Sequence, residues 1–261
     1  MKNKRLKTTL CALLLTAVCG IGAGASSASQ RVISSRTLNW YAHRVEGQPP
    51  SVMPEAKEFF YGYNAVFAGD GERKVIYLTF DSGYENGCTD AILQILQDKS
   101  VPAAFFLDGN DVRRNPELVV KMAHNGHLVC NHSLKHPDMT KLTDIGLYSM
   151  QLSEWENLVR ALGVEPAKLF RPPMGKFSEL TLKYDMQLGY KTVFWSVAHA
   201  DWDTNKQPEP DAALKLLTQR THPGAIVLLH SVSQTNAKIL ATYIDAMRAD
   251  GYEFLPLTEL P

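Results

Sequence analysis

The sequence lacks an excess of charge of one sign, internal repeats and low-complexity segments. Lysine and arginine together number 27, and so do aspartate and glutamate. Four of the basic residues lie at the very N-terminus, so the remainder of the chain is mildly acidic. Such a chain has no basic surface for a phosphate backbone, and we expect no nucleic-acid partner. Hydrophobic residues make up 45% of the chain, enough for a core, which excludes disorder as its main state.

Long hydrophobic runs are also missing, apart from one near the N-terminus. The uncharged run 10–25 follows a basic start and leads into small residues, which is the layout of a secretory signal. We predict a cleavable signal peptide over 1–28 and a secreted or cell-wall-associated, extracytoplasmic protein. The run is short and contains glycine, so we expect no transmembrane span after cleavage. Lipid anchoring at Cys19 is a weaker alternative, because Val18 suits that modification poorly.

Cysteine is scarce. Of the four cysteines, Cys11 and Cys19 fall within the predicted signal. The other two, Cys88 and Cys130, lie in or just after predicted strands. An oxidising compartment would permit a bridge between them, but we expect two buried free thiols.

The remaining chain divides into two parts. Residues 29–72 are too aromatic for a free linker, so we predict an N-terminal extension packed on a domain over 73–261. In that domain seven short apolar runs alternate with six helix-like segments. The predicted strands are 75–80, 103–107, 128–131, 168–171, 191–197, 224–230 and 253–257, and the predicted helices are 87–98, 116–125, 144–162, 178–188, 210–219 and 236–249. This alternation predicts an α/β fold with a parallel sheet closed as an incomplete or distorted barrel.

Reactive side chains stand at the ends of these apolar runs, where parallel α/β folds place their chemistry. Asp81 ends the first run and His230 ends the run 225–229. Arg171 follows another run and precedes two prolines that restrict the backbone, so its guanidinium can orient a carboxylate. The alternatives are a helix cap for Asp81, a core histidine for His230 and a structural ion pair for Arg171.

His132 and His136 are four residues apart on a predicted strand-end loop. Two imidazoles that can converge make a divalent-metal site plausible, although two solvated loop histidines remain the alternative. Trp202 could form the wall of a sugar-binding cleft or simply pack. The other histidines receive no role: His43, His124, His127, His199 and His222.

Together these motifs resemble the polysaccharide deacetylase family, which is carbohydrate esterase family four or the NodB homology domain. The resemblance covers about residues 74–258, and the five family motifs occur in the family's order. It implies a distorted (β/α)7 barrel and a hydrolase that removes N-acetyl groups from sugars with a divalent metal. Zinc is the metal most expected, with cobalt, nickel or manganese possible.

The resemblance also implies roles for individual residues. Asp81 would be the general base, Arg171 would orient it, and His230 would be the general acid. The metal ligands would be His132 and His136. The residues implied for substrate and oxyanion contacts are Met174 through its backbone N–H, Leu228 beside the acetyl methyl, Trp202 and Tyr84.

Two positions depart from the usual family pattern. Ser82 replaces the second aspartate of the TFDDG motif, so a neutral hydroxyl, or water held on it, would be the third metal ligand. Ala198 replaces the aspartate that supports the base and acid, which leaves Asp201 as the nearest substitute. Both departures, together with Gly83-Tyr84-Glu85-Asn86, resemble the branch of PdaA-like N-acetylmuramic acid deacetylases.

That branch implies a peptidoglycan glycan strand as the partner and N-acetylmuramic acid as the substrate, on the route to muramic δ-lactam in spore cortex. An N-acetylglucosamine deacetylase of peptidoglycan or chitin-like oligomers is the second hypothesis. A carbohydrate-binding protein with an inactive site is the third, because Ser82 and Ala198 have both changed. We expect a monomer.

Overall fold

Buried apolar runs form the strands of the computed structural model, which describes residues 32–45 and 48–260. The predicted signal peptide lies outside these residues. The strands of the described part are β1 (Leu38–Asn39), β2 (Ala42–Val45), β3 (Gln48–Val52), β4 (Ala65–Val66), β5 (Val75–Ser82), β6 (Ala103–Leu107), β7 (Leu128–Asn131), β8 (Leu169–Phe170), β9 (Lys176–Phe177), β10 (Lys191–Val193), β11 (Val197–Ala198), β12 (Ala225–His230) and β13 (Glu253–Phe254).

The α-helices follow local start and stop signals. Pro116 begins its helix at a position where its missing N–H costs nothing, and Ser178 begins another through a reciprocal capping box with Thr181. The helices of the described residues are α1 (Pro54–Phe59), α2 (Thr89–Asp98), α3 (Gly109–Arg114), α4 (Pro116–His124), α5 (Ile145–Ala161), α6 (Glu179–Gln187), α7 (Pro210–Arg220) and α8 (Gln234–Ala249).

The main sheet is parallel throughout. Its strands lie in the order β11, β12, β5, β6, β7, β8, β10, β4, and β13 pairs with the start of β5. Within the described part of the chain, the edge strands β11 and β4 do not pair with each other, so hydrogen bonds do not close the sheet into a full barrel. The predicted α/β fold with an incomplete barrel is confirmed.

Several element bounds differ from the prediction. The strands at 103–107 and 128–131 have the predicted bounds, whereas the predicted strand 191–197 is split into β10 and β11. The helix α3 was missed, since it is short and polar and has no apolar periodicity. The sheet also gains β4 from residues assigned to the extension, paired in parallel with β10.

An aromatic cluster joins residues of the predicted extension to the rest of the described chain. The ring of Trp40 lies 5.3 Å from that of Phe60 and 4.9 Å from that of Phe194, and its indole N–H donates to the backbone carbonyl of Trp195. Burial of each such side chain contributes roughly 1.5–3 kcal/mol. The predicted strand 191–197 is split because its backbone changes partner: the N–H of Phe194 donates to Val66 on β4 at 2.8 Å, and that of Ser196 donates to Ile226 on β12 at 3.0 Å.

Both cysteines of the described residues, Cys88 and Cys130, are buried free thiols. Cys130 lies on β7 with no exposed surface. Burial raises the pKa of its thiol, so it is inert at neutral pH.

Candidate active site

The carboxyl ends of neighbouring strands present reactive side chains at one edge of the sheet. His230 is the last residue of β12 and pairs in register with Asp81 on β5. His132 directly follows β7, and Arg171 directly follows β8. Because parallel strands end at the same edge, the order of the sheet brings these residues together.

A cavity of about 900 Å³ opens at this edge. Nine of the eleven site residues predicted from the sequence line it: Asp81, Ser82, Tyr84, His132, His136, Met174, Trp202, Leu228 and His230. The remaining two, Arg171 and Asp201, are fully buried and contact lining residues.

Arg171 holds Asp81 in place. Its Nη1 donates to Oδ1 of Asp81 at 2.6 Å, its Nε donates to the carbonyl of Val193 at 3.0 Å, and its guanidinium lies 4.1 Å above the ring of Phe106. Burial alone would raise the pKa of Asp81, but the charge of Arg171, with smaller contributions from His132 and His230, lowers it. Asp81 is therefore ionised at neutral pH and fixed in orientation.

The two histidines of the HxxxH motif lie next to each other on a loop rather than on a helical turn. Ser133 and His136 both adopt left-handed backbone conformations, with φ of 70° and 52°. The turn brings the rings of His132 and His136 to 4.9 Å between centroids. The loop is braced because Ser133 accepts from the N–H of His136 and donates its own N–H to Asn131.

His132 has the geometry of a metal ligand. Its Nδ1 lies 2.7 Å from the carbonyl oxygen of Arg171, which requires the proton on Nδ1 and leaves the lone pair of Nε2 free. Nε2 lies 3.6 Å from Oδ2 of Asp81, beyond hydrogen-bond distance. Burial lowers the pKa of His132 to about 4, so the imidazole is neutral, as metal binding requires.

These residues fit a divalent ion through two imidazoles but not through a preassembled set of three side chains. Within the described residues, no group of three His, Cys, Asp or Glu side chains is placed to hold an ion. Ser82, predicted as the third ligand, donates its hydroxyl to Oδ2 of Asp111 at 2.5 Å. Its role as a metal ligand stays a prediction, because its hydroxyl hydrogen is engaged in the hydrogen bond to Asp111.

A hydrogen-bonded network supports His230. Its Nδ1 donates to Oδ1 of Asp201 at 2.7 Å, and its backbone N–H donates to Oδ2 at 2.8 Å. Oδ2 also accepts from Nδ2 of Asn236 at 2.5 Å, and Oδ1 of Asn236 lies 2.9 Å from Nε2 of His199. Burial alone would lower the pKa of His230, but Asp201 raises it above the usual value. A raised pKa favours the protonated form, which a general acid needs.

Ala198 stands where the family usually has an aspartate, and its methyl side chain cannot accept a hydrogen bond, whereas Asp201 contacts His230. Ala198 lies on β11 in register with Leu228 and lines the cavity, and its carbonyl accepts from Arg220 at 3.1 Å. Asp201, three residues later, contacts His230 with both oxygens.

Met174, Trp202 and Tyr84 lie where a glycan could contact them. Met174 has a left-handed conformation, with φ of 61°, in a short turn that borders the cavity. Trp202 is 59% exposed and its ring lies 6.1 Å from that of His230, while Tyr84 is 42% exposed. Leu228 is almost fully buried in the wall.

Three polar residues of this region were missed from the sequence. Asn236 and His199 belong to the network around Asp201, although Asn236 lies on the amphipathic helix α8. Asp108 follows β6 and lines the cavity beside Ser82. Asp108, like Asp81, is an acidic residue at the end of a buried apolar run, so the sequence did contain a feature that could have indicated it. No family motif falls on the strand before Asp108, however.

Comparison with known proteins gives a consistent result. The family model described as polysaccharide deacetylase matches residues 68–193. The chain is 36% identical over 252 residues to peptidoglycan-N-acetylmuramic acid deacetylase PdaA of Bacillus subtilis, covering 96% of this chain and 95% of that protein. The solved structure of PdaA, a family 4 carbohydrate esterase, aligns with a TM-score of 0.85 and 38% identity over 87% of this chain and 98% of that chain.

Two more distant relatives differ in what they do. Peptidoglycan-N-acetylglucosamine deacetylase PgdA of Listeria monocytogenes is 33% identical over 187 residues, which are 72% of this chain and 39% of that protein. A family 4 pseudoenzyme from Bacillus anthracis has a TM-score of 0.70 and 25% identity over 86% of this chain and 89% of that chain. In the part of this chain that the structure describes, no helix is long and apolar enough to span a membrane.

Proposed function

This chain belongs to the polysaccharide deacetylase family of hydrolytic N-deacetylases, and from that premise we propose that it removes the acetyl group of N-acetylmuramic acid in peptidoglycan. The observation that carries this proposal is the convergence of two paired groups on one cavity. The ionised Asp81 is held by Arg171, and His230 is held by Asp201. Amide hydrolysis needs a base for the water and an acid for the leaving amine, and these pairs supply one of each.

Asp81 takes a proton from the attacking water. Its carboxylate is ionised because its pKa is lowered, and the bond from Arg171 leaves Oδ2 as the oxygen that faces His132. His132 and His136 would hold the divalent ion. A bound ion supplies positive charge that polarises the acetyl carbonyl and acidifies the water.

His230 donates a proton to the amine as the carbon–nitrogen bond breaks. The bond from Nδ1 to Asp201 fixes the ring and leaves Nε2 as the atom that carries the transferred proton. The turn at Met174 presents a backbone N–H for the developing oxyanion, and Leu228 packs against the acetyl methyl. These assignments follow the family motifs onto the positions of this chain.

The choice of N-acetylmuramic acid is supported by the likeness to PdaA, which extends over nearly the whole of both chains, extension included. The likeness to PgdA covers a smaller part of that protein. Ser82, Ala198 and the run after Gly83 also resemble the muramic acid branch. We place the product on the route to muramic δ-lactam in spore cortex, outside the cytoplasm, with zinc as the ion.

Glycan strands stripped of their stem peptides provide the test. The purified protein with Zn²⁺ should release acetate from them, and mass spectrometry of the digested strands should find the loss of acetyl on muramic acid. Loss on glucosamine alone would replace the proposal with the second hypothesis, for which the likeness to PgdA is the supporting observation. No acetate with any of zinc, cobalt, nickel or manganese would contradict deacetylation.

The likeness to a pseudoenzyme supports the third hypothesis, a glycan-binding protein without turnover. The variant Asp81→Asn separates the two, because asparagine can still accept from Arg171 and the fold should survive. A deacetylase should lose activity about 10²- to 10⁴-fold, since the base is removed. A binding protein would show no acetate release in either form and would keep its affinity for glycan.

A further inference from the structure

Asp108 lies at the carboxyl end of β6, between the end of β5 at Ser82 and the end of β7 before His132. It follows β6, and its N–H donates to the carbonyl of Ser82 at 3.1 Å. The backbone N–H of the next residue, Gly109, donates to the carbonyl of Ser133 at 3.1 Å. The backbone N–H of His132 donates to the carbonyl of Leu107 at 3.1 Å. The backbone therefore fixes Asp108 between the Ser82 turn and the loop that carries both histidines.

The two carboxylate oxygens of Asp108 have different surroundings. Oδ1 accepts from the N–H groups of Asn110 and Asp111 at 2.8 Å each and so caps α3. Oδ2 has no hydrogen-bond partner among the described residues, yet it is not sealed from the cavity that Asp108 lines. A Cβ at Gly83 would lie 3.1 Å from Oδ2, so the bare glycine leaves this oxygen room.

Ser82 is neutral, and its hydroxyl is engaged by Asp111. Asp111 also carries a carboxylate beside Ser82, but its Oδ2 accepts from Ser82 and its Oδ1 accepts from Asn115, so hydrogen bonds occupy both oxygens. One oxygen of Asp81, Oδ1, already accepts a hydrogen bond from Arg171. Asp108 and His136 line the same cavity, so the carboxylate and the second imidazole border one space. Oδ2 of Asp108 is not needed to cap α3, because both capping hydrogen bonds are accepted by Oδ1.

We propose that Asp108 supplies the negative charge of the ion site that Ser82 does not, through Oδ2, while Oδ1 remains the cap of α3. Asp108 acts close to the ion and not as one of three preassembled ligands, in keeping with the side-chain placement. This inference rests on the ion site of the proposed function, but it concerns ion affinity alone. It can therefore fail while the deacetylase proposal stands.

The experiment is a titration of the full chain with Zn²⁺ alone, followed by calorimetry and by competition with a chromophoric chelator. Asp108→Asn removes the charge and keeps a good helix cap, since asparagine caps as well as aspartate. We expect its Kd for Zn²⁺ to rise about 10- to 100-fold, the usual effect of losing a group that supports the ligands. Asp108→Ser, which also caps, should show the same loss if Asp108→Asn folds poorly.

Asp144→Asn is the matched control, because Asp144 is also a helix-capping aspartate but does not line the cavity. It should bind Zn²⁺ like the wild type. Ser82→Asp should lower the Kd for Zn²⁺ more in the Asp108→Asn background than in the wild type, because either carboxylate would supply the same negative charge to the ion.

Equal Kd values for the wild type and both Asp108 variants would overturn the inference and leave the deacetylase proposal intact. A wild type that binds no ion would overturn both.

Discussion

The two sides of the cavity differ in how far the protein alone completes them. On the acid side (His230, Asp201, Asn236 and His199), both oxygens of Asp201 accept hydrogen bonds and the imidazole of His230 is fixed. On the ion side (Asp81, His132, His136 and Asp108), Nε2 of His132 and Oδ2 of Asp108 have no hydrogen bond within the described residues. The hydrogen bonds of the protein itself thus fix Asp201 and His230, whereas the ion side keeps two acceptor atoms free, as the proposed ion would require.

Removing divalent ions should produce the largest effect and should affect only the ion side. Loss of several kcal/mol of charge stabilisation should lower the rate of acetate release about 10³-fold. Added Zn²⁺ should restore it. The check is the initial rate before chelation, after chelation and after Zn²⁺, with residual metal measured by atomic emission. Full activity in verified metal-free protein would break the comparison.

Asp201→Asn should affect the acid side by a comparable or smaller amount. Burial lowers the pKa of His230 and Arg171 lowers it further, but Asp201 and Asp81 raise it by more, so the net direction is upward. The protonated acid is therefore present below the raised pKa and is lost as pH rises through it. Without the charge of Asp201 that loss should begin at lower pH, and kcat/KM at neutral pH should fall about 10²-fold.

The pH profile of kcat/KM for Asp201→Asn is the measurement. The control is Asp203→Asn, since Asp203 is exposed and its side chain accepts a local bond from the N–H of Asn205. An unshifted basic limb in Asp201→Asn would show that Asp201 does not set the protonation of His230.

Asn236→Ala should have a smaller effect of the same kind. It removes the amide that donates to Asp201 and to the carbonyl of His230. A buried polar group that loses its partner costs about 1–3 kcal/mol, so kcat should fall about tenfold. The basic limb should also shift, and Zn²⁺ affinity should not change. Weakened Zn²⁺ binding would mean that the two sides are not independent.

Trp202→Ala should have the smallest effect, because the proposed role of Trp202 is contact with the sugar alone. Its exposed ring beside His230 can stack on a pyranose, worth about 0.5–1.5 kcal/mol. KM should rise about fivefold with kcat nearly unchanged. Tyr61→Ala is the control, since Tyr61 is 99% exposed and does not line the cavity. A fall in kcat without a change in KM would assign Trp202 to the acid side.

The ion side could be predicted from the sequence further than the acid side. Asp81, Arg171 and His132 stand at the ends of buried apolar runs and match family motifs, so strand order alone brings them together. Asn236 could not be found in this way, because it lies within an amphipathic helix and meets Asp201 only through tertiary packing. His199 differs from an ordinary buried histidine only through that same contact.

The prediction for Ser82 and the missed Asp108 have a common reason. A motif shows which residue type changed, but not where the new side chain points, and the hydroxyl of Ser82 donates to Asp111. An aspartate before a short helix looks like a cap, and Oδ1 of Asp108 is one. The proposed role of Oδ2 can be recognised only in the folded structure, where Gly83 and the histidine loop lie beside it.

The fold was predicted closely where burial on both faces makes strands continuous apolar runs, as in β6 and β7. It was predicted less well at β10 and β11. Phe194 reads as strand, but the backbone passes from a bond with Val66 on β4 to a bond between Ser196 and Ile226 on β12, and local β preference does not reveal such a change of partner.

A crystal structure of the protein soaked with Zn²⁺, with the ion located by anomalous scattering, tests the division of the cavity most directly. The ion should lie about 2.0–2.1 Å from Nε2 of His132 and from a ring nitrogen of His136. The bonds of Asp201 to His230 and Asn236 should keep their present lengths. An ion bound elsewhere, or an acid side that rearranges when the ion enters, would contradict it.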